Sequence, residues 1–161
     1  MSELPPGIER AFRLDSAFES AEAGFSLTTF PFHAHVTFDR DDEDVSYLIT
    51  FTLPTLNAVV IDDDVPAIVQ EGWRETLERR LQGADGCSSA LEELIVKSMQ
   101  NDEHLEVTMT FVRPVSAAPA VDVVLALATY VEGTYLQGII PEYSYDSPVA
   151  ELLDRAKEHG S

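Results

Sequence analysis

Phe30-Pro31-Phe32-His33-Ala34-His35-Val36-Thr37-Phe38, then Arg40-Asp41-Asp42-Glu43-Asp44, then Val45-Ser46-Tyr47-Leu48-Ile49-Thr50-Phe51-Thr52-Leu53 is the stretch whose reading decides the fold. In the first arm Phe30, Phe32, Ala34, Val36 and Phe38 share one parity, and His33, His35, Thr37 and Asp39 fall on the other. That period of two is the signature of a half-buried strand. Val45, Tyr47, Ile49, Phe51 and Leu53 alternate in the same way in the second arm. The charged run between them is a polar reversal, so the two arms predict an antiparallel hairpin.

Working outward, residues 94–99 and 105–112 read as a second hairpin around Gln100-Asn101-Asp102-Glu103, with Leu105, Val107, Met109 and Phe111 alternating against Glu106, Thr108 and Thr110. Its first arm is less regular, and residues 88–94 could instead begin as a helical turn. Residues 56–61 are a candidate third strand. Pro5-Pro6-Gly7 opens a short helix with Ile8, Ala11 and Phe12 on one face, and Gly24 breaks the segment that follows. Asp62-Asp63-Asp64 precedes a helix of about 18 residues carrying Ile68, Val69, Trp73, Leu77 and Leu81 at helical spacing. Acids at that start cap free N–H groups, Arg79 and Arg80 suit its far end, and Gly83 is its expected C-cap. Residues 119–137 form a helix apolar nearly all round, which buries several sides either in the core or at a dimer interface. An ordered loop over residues 140–146 then leads to a last helix, with Ser147 as N-cap and Pro148 in its first position. Strands arrive in adjacent hairpins rather than singly between helices. The expected class is therefore α+β: one domain over residues 1–161, an antiparallel sheet of about five strands, and the order α-βββ-α-ββ-α-α.

Composition adds a statement about solvent. The 161 residues include 29 acids against 10 bases, a net charge of −19, and only Lys97 and Lys157 are lysines. The acids run through the whole chain instead of gathering in a tail, as a surface adapted to a very salty cytoplasm would have them. Screening over about 3 Å near 1 M salt removes the self-repulsion of such a surface, which in dilute buffer works against the compact state. The charge also argues against nucleic acid, whose phosphates require basic contacts. The N-terminus has neither a basic segment nor an apolar run of signal-peptide type, and no stretch is long enough to span a bilayer, so the expected location is cytoplasmic. Cys87 stands alone, which rules out a disulfide framework within one chain.

The element order over residues 5–137 resembles the α-βββ-α-ββ-α topology of type III secretion chaperone-like domains. Separately, Phe25-Ser26-Leu27-Thr28-Thr29-Phe30-Pro31-Phe32-His33-Ala34 and Ile140-Pro141-Glu142-Tyr143-Ser144-Tyr145 are similar to an uncharacterised family of haloarchaeal proteins. The second resemblance implies a haloarchaeal source and brings no activity or site residues.

Three features bear on chemistry. His33 and His35, two apart on the polar face of a strand, could share a metal if the next strand or Asp39 supplied a third ligand; otherwise they are two solvated imidazoles. Asp39, Asp41, Asp42, Glu43 and Asp44 match a calcium loop in acidity alone, lacking the glycine and the terminal glutamate of the EF-hand, and serve better as a charged turn. Cys87, with His104 the nearest histidine in sequence, would act as a nucleophile only if a neighbour depressed its pKa. No nucleophile elbow, phosphate loop, dinucleotide fingerprint or zinc-protease motif occurs. Tyr130, Tyr135, Tyr143 and Tyr145, with Ile139-Ile140-Pro141, suit either an interface or a core wrapped by its own C-terminus. The resulting expectation is a non-enzymatic adaptor or chaperone-like domain that binds itself or another protein, with no assigned catalytic, cofactor or metal residues. The alternative is a small metal-binding protein or enzyme using His33, His35 or Cys87.

Overall fold

The structure, a computed structural model, describes residues 6–61, 63–89, 91, 93–140 and 142–160. Two long hairpins form its centre. β3 (His33–Asp41) pairs with β4 (Asp44–Pro54), and β6 (Ile95–Asn101) pairs with β7 (His104–Pro114). β4 and β7 then join antiparallel along their full lengths, Asp44 opposite Pro114 and Pro54 opposite His104. Both hairpins turn on an Asp-Glu pair whose aspartate is left-handed, Asp42 at φ 46° and Asp102 at φ 54°. Aspartate tolerates that region better than most residues because its short polar side chain can bond locally. The glutamate carbonyls tie the turns down: Thr55 N–H donates to Glu103 O at 2.9 Å and Val115 N–H to Glu43 O at 2.7 Å.

The sheet has one more hairpin than the sequence reading expects. β1 (Phe18–Ala21) and β2 (Gly24–Leu27) add to the β3 edge, giving six strands in the order β1-β2-β3-β4-β7-β6. Gly24 does not interrupt this segment; it opens β2 directly after the turn, at φ +107°. Residues 56–61 do not form a third strand of this sheet. The Thr55 hydroxyl accepts from Ala58 N–H at 3.3 Å and closes a single helical turn, α2 (Leu56–Val59). β5 (Val60–Ile61) then pairs with β8 (Ser144–Tyr145) in a separate two-stranded sheet.

The core lies on one side of the large sheet. On α1 (Pro6–Leu14) Phe12 is fully buried, its ring 4.9 Å from Phe18, 5.7 Å from Phe25 and 5.1 Å from Phe38. This cluster fixes both the first helix and the β1–β2 hairpin to the sheet. α3 (Ala67–Leu81) buries Trp73, Leu77 and Leu81, while Ile68 of the expected apolar stripe is 80% exposed. The helix begins after Pro66 with no side-chain cap, so Asp63 and Asp64 stand outside its first turn and Asp62 lies outside the described residues. Gly83 is not a left-handed cap either, since its φ is −86°. What that position needs is room: a Cβ there would stand 3.1 Å from the Tyr130 hydroxyl, which donates to Arg80 O at 2.6 Å.

α4 (Val121–Gln137) is a core helix, burying Val121, Val123, Val124, Leu127, Val131 and Tyr135 among others. The Tyr135 hydroxyl donates to Pro54 O at 3.0 Å, anchoring the helix to the end of β4. The segment after α4 closes on itself through Tyr145, whose hydroxyl donates to Ile140 O at 2.6 Å and accepts from Ile140 N–H at 3.0 Å. α5 (Val149–Gly160) begins one residue later than the proline-first reading, and the Ser147 hydroxyl bonds Glu151 Oε1 at 2.6 Å. No helix among the described residues is long and apolar enough to cross a membrane.

Candidate functional site

Because α1, α3 and α4 pack on one face, the other face of the sheet is left uncovered by any element among the described residues. Its composition follows from strand parity. The inward residues of β4 and β7, from Val45 to Leu53 and from Leu105 to Phe111, are nearly all fully buried. The outward parity carries the threonines and serines of the sequence pattern. Register then aligns these outward side chains into rows across four strands. One row runs Thr37, Leu48, Thr110, Ile95; the next runs His35, Thr50, Thr108, Lys97; the third runs His33, Thr52, Glu106, Met99.

Large apolar side chains interrupt the hydroxyl pattern at one place. Leu48 (38% exposed), Ile95 (50%) and Val112 (55%) surround Thr110, the first two as its cross-strand partners and the third two residues along β7. β6 stops short of β7 here, and the step leaves a cleft of about 320 Å³ lined by Asp44, Glu93, Ile95, Thr110, Val112 and Pro114. Met99, 63% exposed, adds a second apolar point on β6. The β6 edge itself is partly covered from the helix side, where Gln82 Nε2 donates to Val96 O at 3.2 Å and the Ser98 hydroxyl bonds Glu78.

The sequence candidates for chemistry fall on opposite sides of the sheet. His33 and His35 project from the uncovered face with rings parallel, 6.5 Å apart and 5° from coplanar orientation. His35 Nε2 lies 2.7 Å from Ala23 O, so that ring is engaged in holding the β1–β2 turn. Among the described residues no group of three or more His, Cys, Asp or Glu is placed to hold a metal ion. Cys87 closes a short 3-10 turn (Ala84–Cys87) after α3 and packs half-buried against the helix side of the core. Burial pushes its thiol pKa up and the Asp85 carboxylate adds to the rise, the reverse of what activates a nucleophile. The tyrosines singled out in the sequence serve the core: burial raises the Tyr135 phenol far above the ordinary range, and Tyr145 is raised mainly by burial as well.

The uncovered face was only half legible. Parity predicts its threonines, but no single strand shows that Leu48, Ile95 and Val112 converge on Thr110, because that depends on the register of three strands. Comparison with curated proteins and with solved structures finds no match. Residues 13–155 match the model of a family of unknown function, DUF5813, and the chain belongs to that family.

Proposed function

We propose that this chain is a non-enzymatic protein-binding domain, an adaptor or chaperone-like unit of a salt-rich haloarchaeal interior, that docks a folded protein on the uncovered face of its sheet. The observation that carries the reading is the convergence of Leu48, Ile95 and Val112 on Thr110 beside an open cleft. An apolar centre with a polar rim is the anatomy of a protein interface, and three aliphatic side chains left in water on one spot are otherwise a cost. The chain-wide acidity, poor in lysine and spread through the sequence, supports the salt-rich setting.

The test is a photo-crosslinker at the face: Thr50→benzoylphenylalanine, irradiated in cells grown at high salt. Protein adducts at position 50, absent when the same group replaces exposed Glu75 on α3, are the expected result. An irradiated sample with no protein adduct at position 50 overturns the reading.

A further inference from the structure

We propose that a cleft in the helix layer, between the end of α3 and the second half of α4, binds a small oxyanion: the carboxylate or phosphate group of a soluble small molecule. This site lies apart from the uncovered sheet face and does not depend on docking there. The cleft has a volume of about 400 Å³ and is lined by Arg80 of α3 and by Thr129, Tyr130, Gly133, Thr134 and Gln137 of α4. That size suits a small ligand. The α4 members recur at helical spacing, so they form one polar stripe along a helix whose other sides are apolar and buried.

The charge of the lining is what selects an anion. Other clefts of this acidic chain carry carboxylates even where they hold an arginine. Arg40 shares its cleft with Asp42, Glu43 and Asp44, and Arg74 shares one with Glu71 and Asp102. Arg80 shares its cleft with no acid, and among the described residues it enters no ion pair. The repulsion of a −19 chain does not oppose this in a salty solvent. Screening there acts over about 3 Å near 1 M salt, so the groups in contact with an ion decide its binding.

The donors of the cleft are not committed elsewhere. The Tyr130 hydroxyl donates to Arg80 O at 2.6 Å, which holds the Arg80 backbone at the mouth and leaves the guanidinium unused. Thr129 donates to Leu125 O, four residues back, at 3.0 Å, as helical threonines do. Thr134 does not. It is 6% exposed, it lines the cleft, and its hydroxyl makes no hydrogen bond among the described residues. A buried hydroxyl without a partner is a cost that a bound oxyanion would cancel. Gly133 points the same way. A Cβ there meets nothing within 4 Å, so no packing demands glycine, and glycine weakens the middle of a helix. Its bare backbone keeps open the space beside Thr134. The Arg80 guanidinium, the Thr134 hydroxyl and the Gln137 amide thus bring N–H and O–H donors together from two helices, the set that an oxyanion accepts.

Amide chemical shifts of the whole chain in about 2 M potassium chloride, where its surface charge is screened, read the binding. Potassium phosphate and potassium acetate are titrated separately, against matched additions of potassium chloride. Expected are saturable shifts confined to the amides around Arg80 and residues 129–137, and whichever anion saturates names the acidic group of the ligand. Arg80→Gln should weaken binding roughly tenfold or more. Arg79→Gln removes the same charge one residue away, outside the lining, and should leave the affinity within about twofold. Gly133→Leu should abolish saturation while keeping or raising the thermal midpoint, a combination that a merely structural glycine does not give. Shifts that grow linearly with both anions overturn the proposal, as does equal weakening by the two arginine variants or wild-type binding by Gly133→Leu.

Discussion

Replacing Gly24 with alanine tests the part of the sheet that sequence periodicity did not reveal. Gly24 holds φ +107° at the turn between β1 and β2, and a Cβ there would lie 2.0 Å from Val36 O, 3.1 Å from Val36 C and 3.2 Å from Thr37 Cα. All three obstacles are backbone atoms of β3, so no rotamer change relieves the clash. The left-handed backbone costs an alanine about 1–3 kcal/mol, and forcing strands apart in a packed region costs about the same again. The expected loss is therefore about 2–6 kcal/mol, a large share of the roughly 5–15 kcal/mol that holds a domain together. For a chain of this length the thermal midpoint should fall by roughly 10 °C. Urea unfolding in concentrated potassium chloride, followed by circular dichroism and by Trp73 fluorescence, measures it. Gly133→Ala is the opposite control: it sits inside α4 with nothing within 4 Å of its missing Cβ. There alanine should gain about 0.5–1 kcal/mol from helix propensity. A Gly24→Ala loss below about 1 kcal/mol, within the range of an ordinary surface change, would refute the close approach of β2 to β3.

Two further outcomes follow from charge and from burial. Circular dichroism should decay as potassium chloride is lowered toward millimolar concentration, because the repulsion of a −19 chain is then unscreened; a spectrum constant down to millimolar salt contradicts this. Tyr135 is a buried phenol whose pKa is raised in the folded state, so its stabilising share is fully present below the unfolded phenol pKa near 10 and is lost as pH rises beyond it. Tyr135→Phe should lower stability at pH 7 by about 1–3 kcal/mol, since Pro54 O loses its donor, yet flatten the decline of stability above pH 10. Parallel curves for the two proteins above that pH would show that another group controls the alkaline limb.

The two central hairpins were legible because their alternation persists for nine and eleven residues, long enough for parity to be unambiguous. The β1–β2 hairpin was not, since four-residue strands offer two inward positions each and Phe18, Phe25 and Leu27 fit many patterns. Its evidence is tertiary: the Phe12 ring packs against Phe18 and Phe25 from a helix that precedes them. Residues 56–61 misled for a local reason, because the Thr55 hydroxyl found the Ala58 amide and began a helical turn where apolar composition suggested a strand. Ile68 misled for a geometric one. At about 100° per residue it lies roughly 140° from Trp73 and 180° from Leu77, so it points away from the face that α3 buries. The metal reading of His33 and His35 rested on a third ligand, and among the described residues neither histidine falls in a group of three; His35 is engaged with the Ala23 carbonyl instead.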